Sequence, residues 1–457
     1  MLVLLPFLAA LLLGNGGLPD RAPKAVGMSA QRLAAIDRVI KRGMAAGGFP
    51  GAAVVIGRRG AAVVRRGYGR LGWTSNYDDV DPDKTIYDLA SLTKVVGTTT
   101  AVMILFDEGK IGLDDPISKF VPAFAGGNKD SVTVRMLLEH RSGLPAGRDL
   151  WRIANTPADA KFAVITTDLV CKPGDCYIYS DLGADLLAWV AEAAAGQSID
   201  QFLHERVFQP LGMASTMYRP DLNLASRVAP TEVTPPRGYP LRGEVHDENA
   251  FALGGIAGHA GLFSSANDVS VFAQMMINNG TYEGTRIVAD STVRLFTRRA
   301  AGTRALGWDT CATEHGGCGQ FFSERSYGHT GYTGTSLWID PDRELFVVLL
   351  TNRVHAARAR RPALVIADVR ADLADAASVS VIDDPLNFVT RPASYRADTE
   401  YRKWNRPQPK PRRGRGVRKG KGAKHAPAKA GKAASARPKK PVAKGKAPAK
   451  SKARSTR

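Results

Sequence analysis

Two β-rich stretches stand far apart in this chain, and helical patterns fill the space between them. In the first, β-rich runs at residues 52–56 and 61–66 flank Gly57-Arg58-Arg59-Gly60, which predicts an antiparallel hairpin. The second spans residues 327–350, with Leu337-Trp338-Ile339 and the run 345–350 as strands around the turn Asp340-Pro341-Asp342-Arg343. Residues 29–44 read as an amphipathic helix, because Leu33, Ile36, Val39 and Ile40 recur at helical spacing and Ser29 is placed to cap them. Helical patterns broken by Pro and Gly dominate from Thr93 to about Met213, and residues 356–377 read as a closing helix. Strands at both ends with helices between imply one sheet assembled from distant segments. The expected class is α/β in the broad sense, an α+β sandwich: an antiparallel sheet flanked by helices, with an all-helical lobe inserted over about 95–230.

The net charge of +20 suggests a nucleic-acid binder until its location is checked. Residues 402–457 hold 22 Lys and Arg and no Asp or Glu, so the rest of the chain is close to neutral. Past about Pro392, Lys, Arg, Ala, Pro and Gly take over without apolar periodicity, and residues 393–457 are expected to be a disordered basic tail. Such arms bind polyanions through counterion release. In an exported protein the polyanion is an envelope polymer or an anionic lipid surface. Nucleic acid is disfavoured there, since no aromatic for base stacking follows Trp404.

The apolar run up to Leu13 is too short to span a bilayer, which takes roughly 20 residues. It fits the core of an export signal, expected over residues 1–18, although the usual basic start is missing. A periplasmic or secreted location follows as an expectation, with a catalytic domain over 25–392. The four cysteines lie in two local pairs, Cys171/Cys176 and Cys311/Cys318, and their spacings favour two local disulfides over the other pairings. The same spacings do not match a zinc knuckle.

Ser91 is the one serine with a lysine three residues on, in Ser91-Leu92-Thr93-Lys94. A lone match of this kind carries little weight, as about two arise by chance in a chain this long. Its context adds weight. Asp88-Leu89-Ala90 leads into a helix-like run, seating Ser91 near a helix N-terminus that favours developing negative charge. Lys94 lies one turn on, on the same face. It can take the serine proton only if burial or nearby charge lowers its proton affinity. Downstream come Tyr179-Ser180-Asp181 and His329-Thr330-Gly331.

The order Ser-x-x-Lys, Tyr-x-[Asn/Asp], [Lys/His]-Thr-Gly resembles that of serine β-lactamases and penicillin-binding proteins, in the class C, DD-peptidase and esterase branch. Leu137-Leu138-Glu139-His140-Arg141-Ser142-Gly143-Leu144-Pro145, Pro210-Leu211-Gly212-Met213 and Ala260-Gly261-Leu262-Phe263-Ser264-Ser265 resemble further landmarks of that family. The likeness covers about residues 29–377. It implies a β-lactamase/transpeptidase-like fold and a serine acyl-enzyme, with neither cofactor nor metal.

Carried over by position, the resemblance makes Ser91 the acylated residue, Lys94 its activating partner and Tyr179 the proton shuttle. Asp181 takes a place usually held by Asn and is expected to pair with Lys94, keep it charged and shift the base role onto Tyr179. The backbone N–H groups of Ser91 and Tyr332 form the oxyanion hole, worth roughly 3–4 kcal/mol per donor. His329, Thr330 and Gly331 line the strand edge where substrate docks. With His at 329 rather than Lys, that edge lacks a permanent cation for a substrate carboxylate, which shifts expectation from β-lactam toward peptide or ester. D-alanyl-D-alanine carboxypeptidase or endopeptidase action is the first reading. An esterase or β-lactamase of the same fold and a non-hydrolytic penicillin-binding sensor are the alternatives. Gly243-Glu244-Val245-His246-Asp247-Glu248-Asn249-Ala250 resembles a stretch in a subset of relatives, including penicillin-binding proteins of the 4B type. With His259 it invites a metal site, but a loop framing the active-site rim is the preferred reading.

Overall fold

The computed structural model describes residues 17–300, 302–311, 317–383 and 395–398. The first 16 residues, which hold most of the expected export signal, and the tail beyond 398 lie outside the described residues.

The N-terminal hairpin forms as expected but turns more tightly. Strand β1 (Gly51–Arg58) runs through Gly57 and Arg58, and only Arg59 and Gly60 turn, at φ 50° and 78°, before β2 (Ala61–Gly69). Two left-handed residues match the right-handed strand twist, so the hairpin closes in two residues. Gly57 is a strand residue for a packing reason: a Cβ there would come within 2.1 Å of the Phe346 ring.

The C-terminal stretch adds β3 (Asp309–Thr310), β4 (Tyr327–Thr330), β5 (Ser336–Asp340) and β6 (Leu345–Thr351). The sheet order is β2-β1-β6-β5-β4-β3, with all neighbours antiparallel. Strands β1 and β6 join the two ends of the chain in a register that sets Ala52 against Thr351 and Arg58 against Leu345.

Both faces of this sheet are covered, so its central strands read as unbroken apolar runs. Ala53, Val55, Phe346, Val348 and Leu350 face the core shared with the helical lobe. Ala52, Val54, Ile56, Leu345, Val347 and Leu349 face the opposite core. That second core is closed by α1 (Ala35–Ala45), with Ile36, Val39 and Ile40 buried, and by α5 (Pro362–Val379). The expected helix over 29–44 is broken at Ala34, and Ser29 caps the short first piece by accepting from the Arg32 amide. The closing helix begins at Pro362, not near 356. Proline disfavours α geometry at the residue before it and is accepted in the first turn, and Arg361 is accordingly at φ −138°. Arg42 of α1 and Asp372 of α5 meet in a buried ion pair at 2.6 Å.

Leu18 is buried in the sheet–lobe core, and Ala397 is buried on the α1 side. Residues 90–107 are apolar enough to cross a membrane by composition, but they are mostly buried and end in α2 (Thr100–Asp107), a core helix. The lobe also carries α3 (Asp181–Ala195), and α4 (Ala266–Ile277) packs on the sheet. The disulfides are Cys171–Cys176 and Cys311–Cys318, the local pairing that the spacing favours.

Candidate active site

Ser91 sits in a 3-10 turn (Ala90–Leu92) that runs through a π-helical segment (Lys94–Thr99) into α2. The turn is pinned on every side. Asp88 accepts from the Ala90 amide at 2.8 Å and from the His246 amide at 2.7 Å. Thr333 and Thr335 donate their hydroxyls to the carbonyls of Asp88 and Leu89, at 2.8 and 2.9 Å. These contacts hold Ala90 at φ 47°, a left-handed geometry that costs a non-glycine residue about 1 kcal/mol or more. Gly331 passes so close to this turn that a Cβ would meet the Thr335 hydroxyl at 2.1 Å and the Leu89 carbonyl at 2.4 Å. That is the physical reason for the glycine in His329-Thr330-Gly331.

Lys94 is buried, and its Nζ meets Ser91 Oγ at 3.0 Å, the His259 carbonyl at 3.1 Å and Asp181 Oδ1 at 2.7 Å, with the Tyr179 hydroxyl also in reach. Asp181 opens α3, where the Ser180 hydroxyl caps the helix by accepting from Gly183. Burial alone would lower the proton affinity of Lys94, but Tyr179 and Asp181 outweigh it and hold the ammonium above its ordinary range. The lowered affinity that a direct lysine base requires is therefore not what this geometry produces.

The Tyr179 ring lies 4.9 Å from Lys94 Nζ. His140, read only as part of a landmark stretch, brackets this tyrosine. Its carbonyl accepts from the Ile178 amide at 2.9 Å, its Nδ1 accepts from the Ser180 amide at 3.1 Å, and its ring lies 4.6 Å from the Tyr179 ring. Burial, with Arg304 and Lys94 adding to it, pushes His140 well below the usual histidine range, so the ring stays neutral and Nδ1 can accept.

Across the cleft, His329 is buried in β4, with Nδ1 2.9 Å from the Thr330 carbonyl. Burial pushes it down to about 4; Asp309 opposes the shift, and Arg304 and Lys94 reinforce it. His329 is thus neutral near pH 7. Tyr332 is exposed, stacked against His246 at 5.6 Å, with the Arg353 guanidinium 4.6 Å from its ring. Neither the Ser91 nor the Tyr332 amide is taken by a backbone partner among the described residues.

Ser91, Tyr179, His329, Thr330, Gly331 and Tyr332 line one cleft of about 480 Å³ with Arg353 and Arg370. A larger groove of about 760 Å³, walled by Trp151, Pro157, Leu222, Tyr239 and Phe251, holds none of the expected chemistry. The expectation that the cleft lacks a permanent cation needs correction. Arg370 donates to the carbonyls of Gly331 and Thr335, both at 2.7 Å, and Arg353 is largely buried. Among the described residues neither has a carboxylate within ion-pair distance. Burial and the neighbouring Arg353 push Arg370 down to about 9, which leaves it charged at neutral pH. Both arginines lie far from the motifs in sequence, and no local pattern marks them.

The segment around 243–259 does not gather its side chains into one site. The His246 ring pairs with Glu232 at 2.7 Å, whereas the His259 ring lies between Asp185 at 2.7 Å and Asp247 at 2.9 Å. Asp247 also caps the short helix Glu248–Ala252 by accepting from the amides of Asn249 and Ala250. His246 reaches the Ser91 turn through its amide to Asp88 and stacks its ring on Tyr332, which lines the cleft. His259 lies deeper, behind Lys94.

The Beta-lactamase family model matches residues 36–371. A protein of Escherichia coli (strain K12), assigned provisionally as a D-alanyl-D-alanine carboxypeptidase, is 33% identical over 380 residues, covering 74% of this chain and 86% of that protein. The N-acetylmuramyl-L-alanine amidase of Bacillus subtilis (strain 168) is 32% identical over 366 residues, with 72% and 82% coverage. Among solved structures, a penicillin-binding protein homologue from Caulobacter crescentus shares the fold at TM-score 0.61 and 20% identity, over 78% of this chain and 99% of that one. EstCE1, a hydrolase with promiscuous acyltransferase activity, does so at TM-score 0.60 and 23% identity, over 74% and 98%.

Proposed function

We propose, because this chain belongs to the beta-lactamase family and is a serine hydrolase of that fold, that it cleaves D-alanyl-D-alanine-type peptide bonds of cell-wall peptides as a carboxypeptidase or endopeptidase. The observation that carries the reading is the Lys94 ammonium shared among Ser91, Asp181 and the His259 carbonyl, beside a cleft with two arginines that have no acidic partner among the described residues. In this reading Ser91 Oγ attacks the substrate carbonyl and its proton passes to Tyr179, which returns it to the leaving amine. The Ser91 and Tyr332 amides receive the oxyanion. Water then releases the acyl group by the same relay. Arg353 and Arg370 supply the charge that His329 does not, and they receive the substrate's terminal carboxylate. Relatives assigned to D-Ala-D-Ala carboxypeptidase and muramyl-amide cleavage support a substrate of this class. Export to the envelope, with the basic tail on an anionic polymer or lipid surface, is part of the same proposal.

The test incubates the full chain and Ser91→Ala with a labelled penicillin, a D-Ala-D-Ala peptide and a nitrophenyl ester. Ser91-dependent release of D-Ala together with stable labelling supports the peptidase. Ester turnover alone replaces it with an esterase, and labelling without any turnover with a sensor.

Two further results are expected. A peptide with a free terminal carboxylate should outcompete its amide, and Arg353→Gln should lower kcat/KM for the acid about 10- to 100-fold, well beyond its effect on the amide. Equal losses on both peptides would remove Arg353 from carboxylate recognition. Asp181→Ala should cost about 10²-fold in kcat/KM and Asp181→Asn about tenfold, because asparagine keeps an acceptor for Nζ but loses the charge. Asp181 raises the proton affinity of Lys94, so its neutralisation should also move the midpoint of the pH–rate profile to lower pH. A larger loss in Asp181→Asn than in Asp181→Ala would reject the pairing role.

A further inference from the structure

A charged cluster outside the reacting groups sits directly behind Lys94. His259 is fully enclosed, and its two ring nitrogens meet Asp185 Oδ1 at 2.7 Å and Asp247 Oδ1 at 2.9 Å. Asp185 also takes the amides of Gly258 and His259, at 3.0 and 3.3 Å. It lies one turn along α3 from Asp181, the anion of Lys94. On the other side, the Thr98 hydroxyl, one turn on from Lys94, donates to the Gly258 carbonyl at 2.7 Å. Gly258 is wedged against α3, where a Cβ would come within 2.0 Å of the Ala184 carbonyl. The peptide Gly258–His259 is therefore held from its ring, its amides and its carbonyls at once, and the His259 carbonyl is the one that accepts from Lys94 Nζ.

We propose that His259 is a positioning residue for Lys94: its ring, clamped between the carboxylates of Asp185 and Asp247, locks its own carbonyl at one corner of the ammonium. With Asp181 fixing a second corner, Nζ is held 3.0 Å from Ser91 Oγ, beside Tyr179. This also gives a purpose to the Asp247 segment, which the reaction itself does not use. Burial works against a charged His259, yet the two carboxylates hold it well above the usual histidine range, so the clamp keeps both ring protons near neutral pH. Asp247 is correspondingly held below the usual carboxylate range, burial opposing and His259 prevailing.

The inference rests on Ser91 being the nucleophile but not on the identity of the substrate, so the probe is a fluorophosphonate. Ser91 Oγ bonds to phosphorus, the phosphorus–fluorine bond breaks, fluoride leaves, and the serine proton passes to Tyr179. In the full chain, His259→Gln should lower the maximal inactivation rate about 10²-fold, with the probe's half-saturation constant changed by less than about twofold. Asp247→Asn keeps the helix cap and ring contact while removing one anion, so it provides a folded second test, with about a tenfold loss expected. The double variant should be no slower than His259→Gln alone, because both act through one clamp; a purely structural role would give additive losses. Wild-type inactivation rates in both single variants, additive losses in the double variant, or an unreactive Ser91 in the wild type would each overturn the proposal. Absence of D-Ala release with these rate losses intact would instead reject the peptidase reading alone.

Discussion

Ser91→Ala is expected to abolish covalent labelling by penicillin and to lower kcat/KM about 10⁴- to 10⁶-fold on whichever substrate the wild type turns over. Its hydroxyl lies 3.0 Å from Lys94 Nζ, and it sits on a turn pinned by Asp88, Thr333 and Thr335. Thr330 also lines the cleft, but no contact to a proton acceptor primes it among the described residues. The fold should survive, since the side chain that remains is alanine and the pinning contacts are made by other residues. Turnover by intact mass spectrometry and D-Ala release checks this. A Ser91→Ala protein that still hydrolyses at the wild-type rate would remove the nucleophile assignment and everything built on it.

Lys94→Met is expected to cost about 10³-fold, within the range for loss of a positioned proton-transfer partner. Methionine fills much of the same volume but has no donor for Ser91, Asp181 or the His259 carbonyl. Asp181 is about a third exposed, so water can solvate the carboxylate left behind, and a folded protein is expected. Lys94→Arg sharpens the test, because it keeps the charge but replaces a compact three-proton head with a planar fork. If Lys94 acted by charge alone, the arginine variant would retain most of the activity. The three-cornered geometry instead predicts a loss within about tenfold of that in Lys94→Met. Single-turnover acylation rates at constant pH distinguish the two.

The parts of the site that were readable in sequence share a property: their signal is local. Ser91 and Lys94 are three residues apart on one helical face, and the run Tyr179-Ser180-Asp181 delivers two groups to one cap. His329, Thr330 and Gly331 follow one another on one strand edge. Errors in the secondary structure were also local and have local causes. Pro362 delays the closing helix, and two left-handed residues shorten the hairpin turn. Burial on both sheet faces made β1 and β6 easy to find while hiding which face each residue serves.

The sequence by itself singled out Ser91 as the candidate nucleophile, the order of the motifs and a sheet built from the two ends of the chain, because spacing along a helix or strand dictates which groups share a face. Tertiary structure alone decided that Lys94 is held charged, that Arg353 and Arg370 restore cations to a cleft whose histidine is neutral, and that His259 stands clamped behind the lysine. Those outcomes depend on burial and on charges that come from α3, α5 and the 243–259 segment. Electrostatic strength follows distance and desolvation through space, and neither quantity is written in the spacing of residues along the chain.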